Sequence, residues 1–205
     1  LRRLIDARAH ALADRVSGPD ATAQFSSESG IPLLLLSDEV PLSADTVHAF
    51  LGARVMGQEA AARRVAEIVT VIKAGLADRL RPVGVLLFAG PTGVGKTELS
   101  KALAELIFGS RERLVRIDMG EYAGPDALAR LLGDAPGEAA TGNLTAAVRR
   151  QPFCVVLLDE IEKAHPAVFD ALLGVLGEGR LTSAEGRFTD FRNAVIIMTS
   201  NLGAD

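Results

Sequence analysis

The chain has 205 residues, 48% of them hydrophobic and 23% charged, with a formal net charge of −4. That composition supports one sizeable core plus an appendage, and its acidic balance gives no global footprint for nucleic acid. A single cysteine, Cys154, excludes an internal disulfide and a cysteine-based zinc site, and no apolar run approaches the roughly 18–20 residues of a membrane span.

Residues 1–16 place Leu1, Leu4, Ile5, Ala9, Leu12 and Val16 on roughly one helical face. The start has arginines but no apolar h-region, so it is not a signal peptide, and the missing initiator Met suggests a piece of a longer polypeptide. SGPDATAQFSSESG (17–30) reads as a polar linker, so 1–30 is expected to be a helical appendage with a linker, and 31–205 a single α/β unit. IPLLLLSDEVP reads as extended. A helix can begin at Ser43, and a longer one near Gln58 running toward Leu80.

Four apolar runs follow: 83–89, 114–118, 153–159 and 193–199. They are continuous rather than alternating, as expected of parallel strands buried on both faces. Cys154, inside the third run, reads as a small buried hydrophobe. Between the runs lie helical patterns, one over Leu99–Ile107 stopping at Gly109 and one from Pro166 stopping at Gly177. Strands alternating with helices mean a parallel α/β sheet with right-handed crossovers.

The strongest chemical signal is GPTGVGKT at 90–97, between a strand pattern and an amphipathic helix. Gly90, Gly93 and Gly95 let backbone N–H groups turn toward phosphate oxygens, and the helix adds its positive end. Pro91, Thr92, Val94 and the following Glu98 complete the expected nucleotide-contacting stretch. Lys96 supplies charge to the β- and γ-phosphates, and the Thr97 hydroxyl is a Mg²⁺ ligand. A phosphate loop of this kind needs a carboxylate at the end of another strand. Val155-Val156-Leu157-Leu158 leads to Asp159, placed for Mg²⁺, and Glu160, suited to polarise the attacking water. The last run ends in Thr-Ser-Asn, where Asn201 is either a water-orienting group or a plain turn residue.

VMGQEAAARRVAEIV, GPTGVGKTELSKALAE, RIDMGEY, VVLLDEIEKAHPAVFDALLGVLGEGRLTSAEGR and TDFRNAVIIMTSNLG follow one another in the chain. This succession resembles the second ATPase domain of the Clp-type AAA+ unfoldases, the ClpB and ClpC/ClpA group, from about Gly30 to Asp205. The resemblance implies a P-loop NTPase large subdomain, a three-layer α/β/α fold with a mostly parallel sheet. It implies ATP or ADP with Mg²⁺ at Walker A (Gly90–Thr97) and Walker B (Asp159, Glu160), and sensor 1 at Asn201. It also assigns Val55 and Met56 to packing on the adenine. The partners it implies are further copies of the chain in a hexameric ring and protein clients, with neither nucleic acid nor membrane, in the cytoplasm.

The arginine finger, the helical lid with sensor 2 and the peptidase-docking loop of the family lie beyond the motifs present. Arg180, Arg187 and Arg192 match a loop before sensor 1, not the finger. An arginine finger is worth roughly 10³–10⁵ in rate, so this stretch alone is expected to bind nucleotide and hydrolyse it weakly. A further departure is PGEAATGN at 136–143. Its flanks match the family's substrate-gripping pore loop, yet Glu138-Ala139-Ala140 stands where the family carries an aromatic between glycines. Two readings stay open: a remodelling ATPase acting on protein clients, or a nucleotide-controlled assembly domain that threads no polypeptide. An AAA+ loader acting on DNA or RNA is disfavoured by the acidic balance and the absence of an aromatic-basic platform.

Overall fold

The computed structural model describes residues 17–29, 32–37, 42–76, 78–133, 143–183 and 186–202. They fall into two compact units, one within Leu1–Pro41 and one spanning Leu42–Asp205.

In the first unit, Gly18–Ser29 is an α-helix (α1), where the small polar residues had indicated a linker. Asp20 is the reason: its carboxylate accepts from the Ser17 N–H at 3.0 Å and the Ser17 hydroxyl at 2.6 Å, an end cap written in side chains rather than in apolar periodicity. Leu33–Leu36 forms one helical turn (α2) rather than an extended segment. The periodic segment 1–16 lies outside the described residues.

The second unit opens as expected with Ser43, whose hydroxyl accepts from Thr46 N–H and caps α3 (Ala44–Gly52). Helix α4 (Glu59–Lys73) begins after Gln58 but ends well short of Leu80. Four parallel strands follow: β1 (Gly84–Ala89), β2 (Leu114–Asp118), β3 (Val155–Asp159) and β6 (Val195–Ser200), ordered β1-β6-β3-β2. Helix α5 (Lys96–Phe108) joins β1 to β2. After β2 come α6 (Ala127–Leu132) and α7 (Leu144–Arg150), and α8 (Pro166–Glu178) follows β3. A short antiparallel pair, β4 (Arg180–Thr182) with β5 (Phe188–Asp190), sits in the stretch the sequence left as a loop.

Side chains of opposite parity along a strand face opposite sides. Val156, Leu158 and Ile196 share one core with Leu131, Val148, Val168 and Leu172. Val155, Leu157, Val195 and Ile197 are equally buried on the other side. There α4 approaches, with Ile68 and Ile72 beside Gly84. Helices on both faces of a parallel sheet give the three-layer architecture. Burial on both faces holds for the inner strands but not for outer β1, where Val85 and Leu87 are exposed. An outer strand has a neighbour on one edge only, so an apolar run does not by itself guarantee cover.

Cys154 is fully buried at the start of β3, and desolvation pushes its thiol up to about 12. It serves as a packing residue. Among the described residues no helix is long and apolar enough to cross a membrane.

Two anchors bracket the stretch 134–142. Helix α6 ends at Gly133, with φ +74°, where a Cβ would collide with the Asn143 side chain. Asn143 in turn caps α7, accepting from Ala146 N–H at 2.8 Å, and the Thr145 hydroxyl donates to the Leu132 carbonyl at 3.0 Å. The aromatic-free residues Pro136–Gly142 lie outside the described residues.

Candidate nucleotide site

Strand register decides where the chemistry meets. Ala89 pairs with Ser200, and Asp118 with Asp159, so the carboxyl ends of all four strands align at one edge of the sheet. Ligands bind at this edge in open α/β sheets. Gly90 N–H donates to the Ser200 carbonyl at 3.1 Å, pinning the entry of the glycine-rich loop to the end of β6. The loop turns back through Gly93 (φ +83°) and Gly95 (φ +102°), conformations that favour glycine. At Gly95 a Cβ would also stand 3.0 Å from Val55 Cγ1, which packs beneath the loop. Helix α5 then starts at Lys96, with its free N–H groups at the cleft.

The cleft has a volume of about 400 Å³. Thr92, Gly93, Gly95, Lys96, Thr97 and Glu98 line one wall, and Arg116, Asp118, Asp159, Glu160 and Asn201 the other. The structure therefore brings Lys96, Thr97, Asp159, Glu160 and Asn201 together around one cleft. Lys96 Nζ donates to Asn201 Oδ1 at 2.7 Å, to the Pro91 carbonyl at 3.1 Å and to the Gly90 carbonyl. Asn201 Nδ2 donates to Glu160 Oε1 at 2.8 Å. Glu160 Oε2 accepts from Lys163 at 2.5 Å, and that bond holds the Lys163 ammonium above its ordinary value. Lys96, Asn201, Glu160 and Lys163 thus form one polar chain across the cleft.

Glu160 has φ +57°, the one non-glycine residue with positive φ among those described. This turn off β3 costs roughly 1–3 kcal/mol and aims the carboxylate back at Asn201. Its own N–H holds the turn by donating to Thr199 Oγ1 at 2.9 Å. Glu162 receives the Asn201 N–H at 3.0 Å. Burial pushes the Glu162 carboxyl up, but this bond, others and the nearby Lys163 outweigh it, leaving the group below its usual range.

Pro91 joins this network through its carbonyl, and Thr92, Gly93 and Gly95 line the cleft beside it. Val94 lines a neighbouring apolar cleft, and Glu98 pairs with Lys101 and Arg111. Val55 is buried, whereas Met56 is 91% exposed.

Two residues at the site were not singled out from the sequence. Thr199 is fully buried; its hydroxyl donates to Asp159 Oδ1 at 2.5 Å and accepts from Glu160 N–H. It read as the tail of an apolar run. Arg116 donates to Asp159 Oδ2 through Nε at 3.0 Å and Nη2 at 2.6 Å. Its signal was available, since an arginine inside the strand LVRID is unusual.

Thr199→Val keeps shape but removes the hydroxyl, leaving a buried carboxylate oxygen and a backbone N–H without their partner. A stability loss of about 1–3 kcal/mol in urea unfolding is expected, with Thr199→Ser recovering most of it. A valine variant within about 0.5 kcal/mol of wild type would contradict this account of the carboxylate.

The site's chemistry fits a magnesium nucleotide. The glycine turns and helix start offer N–H donors for phosphate, and the cleft volume falls within the range of small-molecule pockets. Thr97 and Asp159 offer hard oxygen ligands of the kind Mg²⁺ takes while keeping several waters.

Comparison with known proteins places the chain among relatives of known name. The chain is 51% identical over 191 residues to chaperone protein ClpB of Mycobacterium tuberculosis, covering 91% of this chain and 22% of that protein. To ClpB of Corynebacterium diphtheriae it is 53% identical over 190 residues, again 91% and 22%. To the negative regulator of genetic competence ClpC/MecB of Bacillus subtilis it is 49% identical over 192 residues, 92% and 24%. The chain thus spans under a quarter of the length of these relatives. Residues 81–205, which include β1 through β6 and Asn201, match the AAA domain (Cdc48 subfamily), and the chain belongs to that family.

Proposed function

We propose that this domain binds ATP and ADP with Mg²⁺ and serves as an ATP-hydrolysing module of a Clp-like, protein-remodelling ring ATPase. The observation that carries the reading is the polar chain from Lys96 through Asn201 to Glu160, beside the carboxylate of Asp159.

Loop N–H groups and the start of α5 hold the phosphates, and Lys96 sets its charge against the β- and γ-phosphates. Thr97 and Asp159 would hold Mg²⁺, which when bound would supply positive charge to the phosphate oxygens. Glu160 accepts a proton from water as the water oxygen bonds to the γ-phosphorus. The bond to the bridging oxygen breaks, and ADP leaves. Asn201, fixed by Glu162 and Lys96, orients that water. Ring assembly with further copies and action on protein clients belong to the same proposal, and the ClpB and ClpC relatives support them over a scaffold role.

The test is a titration of the domain with a fluorescent ADP analogue in the presence of Mg²⁺. Saturable binding, displaced by ATP, is expected with a micromolar Kd, about −8 kcal/mol. No displaceable binding at millimolar nucleotide would end the proposal.

A further inference from the structure

Asp159, read above as a Mg²⁺ ligand, has both oxygens engaged by the protein itself. Oδ1 takes the Thr199 hydroxyl, which is fully buried and fixed. Oδ2 takes two donors from Arg116, at 3.0 and 2.6 Å. The two partners differ in freedom. The Asp159 side chain is 13% exposed, whereas that of Arg116 is 55% exposed and springs from the outer strand β2, with room to swing away. Glu98, Asp118, Asp159 and Glu160 line the cleft together with two cations, Lys96 and Arg116, while Glu98 and Glu160 have ion-pair partners of their own in Lys101, Arg111 and Lys163.

We propose that Arg116 is an internal counterion of the Walker B carboxylate. It holds Asp159 Oδ2 until a hydrated Mg²⁺ takes that oxygen, and so sets how strongly nucleotide binding depends on the metal. The proposal rests on the nucleotide-site reading and deepens it, with Arg116 as a positioning residue rather than a catalytic one. Two effects point the same way. Removing the guanidinium frees Oδ2, so Mg²⁺ no longer has to displace a resident cation. It also removes one of the two cations lining the cleft and leaves the Asp159 charge without its counterion, so nucleotide without metal meets more repulsion.

The quantity to measure is the ratio of the nucleotide Kd without Mg²⁺ to the Kd with it. This ratio is the thermodynamic coupling between metal and nucleotide, independent of turnover. Full-length wild type and Arg116→Gln are titrated with a fluorescent ADP analogue, in EDTA and in excess Mg²⁺. Signal surviving in Lys96→Ala is subtracted as binding elsewhere. The ratio is expected to rise roughly tenfold in Arg116→Gln, a bound set by the partial exposure of the pair. An equal or lower ratio overturns the proposal. If Arg116→Gln does not fold, Arg116→Lys keeps a charge but loses the fork, and an unchanged ratio there overturns it equally. Failure of wild type to bind nucleotide in Mg²⁺ would instead remove the nucleotide-site reading itself.

Discussion

Lys96→Ala is expected to weaken binding of a magnesium nucleotide by roughly 10²-fold or more. Hydrogen bonds from a charged group are worth about 1.5–3 kcal/mol each, and the ammonium is read as serving two phosphates. The cleft supports that reading. Around Nζ gather Asn201 Oδ1, the carbonyl oxygens of Gly90 and Pro91, and that of Ser200 at 3.4 Å, so the loop and the end of β6 both converge on this one cation. The alanine variant should keep its fold, because the buried residues of α5, among them Leu99, Ala102 and Leu103, are untouched. Circular dichroism and thermal unfolding check that point, and calorimetric titration gives the affinity. A Kd within about threefold of wild type, in a folded variant, would remove Lys96 from the site.

The second large effect concerns hydrolysis. Glu160→Gln changes neither shape nor the acceptor that Asn201 Nδ2 uses, but it cannot take a proton from water. General-base catalysis contributes typically 10²–10⁴-fold, so ATP turnover by the full-length protein should fall by at least about 10²-fold while nucleotide affinity stays within a few-fold. The separation between binding and turnover is the diagnostic feature, since Lys96→Ala removes both. Turnover near wild type would mean that another group activates the water. The variant also loses the Lys163 ion pair, but that pair is solvent-exposed at the lysine end and should cost little stability.

The reach of sequence reasoning differs from element to element. Strands β3 and β6 were legible because inner parallel strands must be apolar along their length, outer β1 and β2 because short apolar runs mark them too, and α3 because Ser43 supplies a local cap. Helix α1 was not, because its residues are small and polar, and a side-chain cap rather than an apolar stripe marks its start. Pair β4–β5 was missed because three-residue strands leave no periodicity to count. Within the site, Lys96, Thr97, Asp159 and Glu160 were readable from fixed spacing and context. Thr199 was not, and Arg116 showed only as an arginine inside a strand, because each acts on Asp159 across 40 or more positions of the chain.

The sequence by itself determined the parallel α/β class, the glycine turn that suits phosphate, and the carboxylates that close a buried strand. Those features are local: φ preferences, apolar runs and residue order are written in consecutive positions. It also carries the aromatic-free stretch 136–143 whose flanks resemble a pore loop. Only the tertiary structure decided which side chains meet. Register aligned Ala89 with Ser200 and Asp118 with Asp159, and so brought Asn201 to Lys96 and Arg116 to Asp159. It also left Met56 at the surface and buried Val55 against Gly95. Contacts between distant positions depend on how strands pair and which face each helix covers, and no short window of residues encodes that.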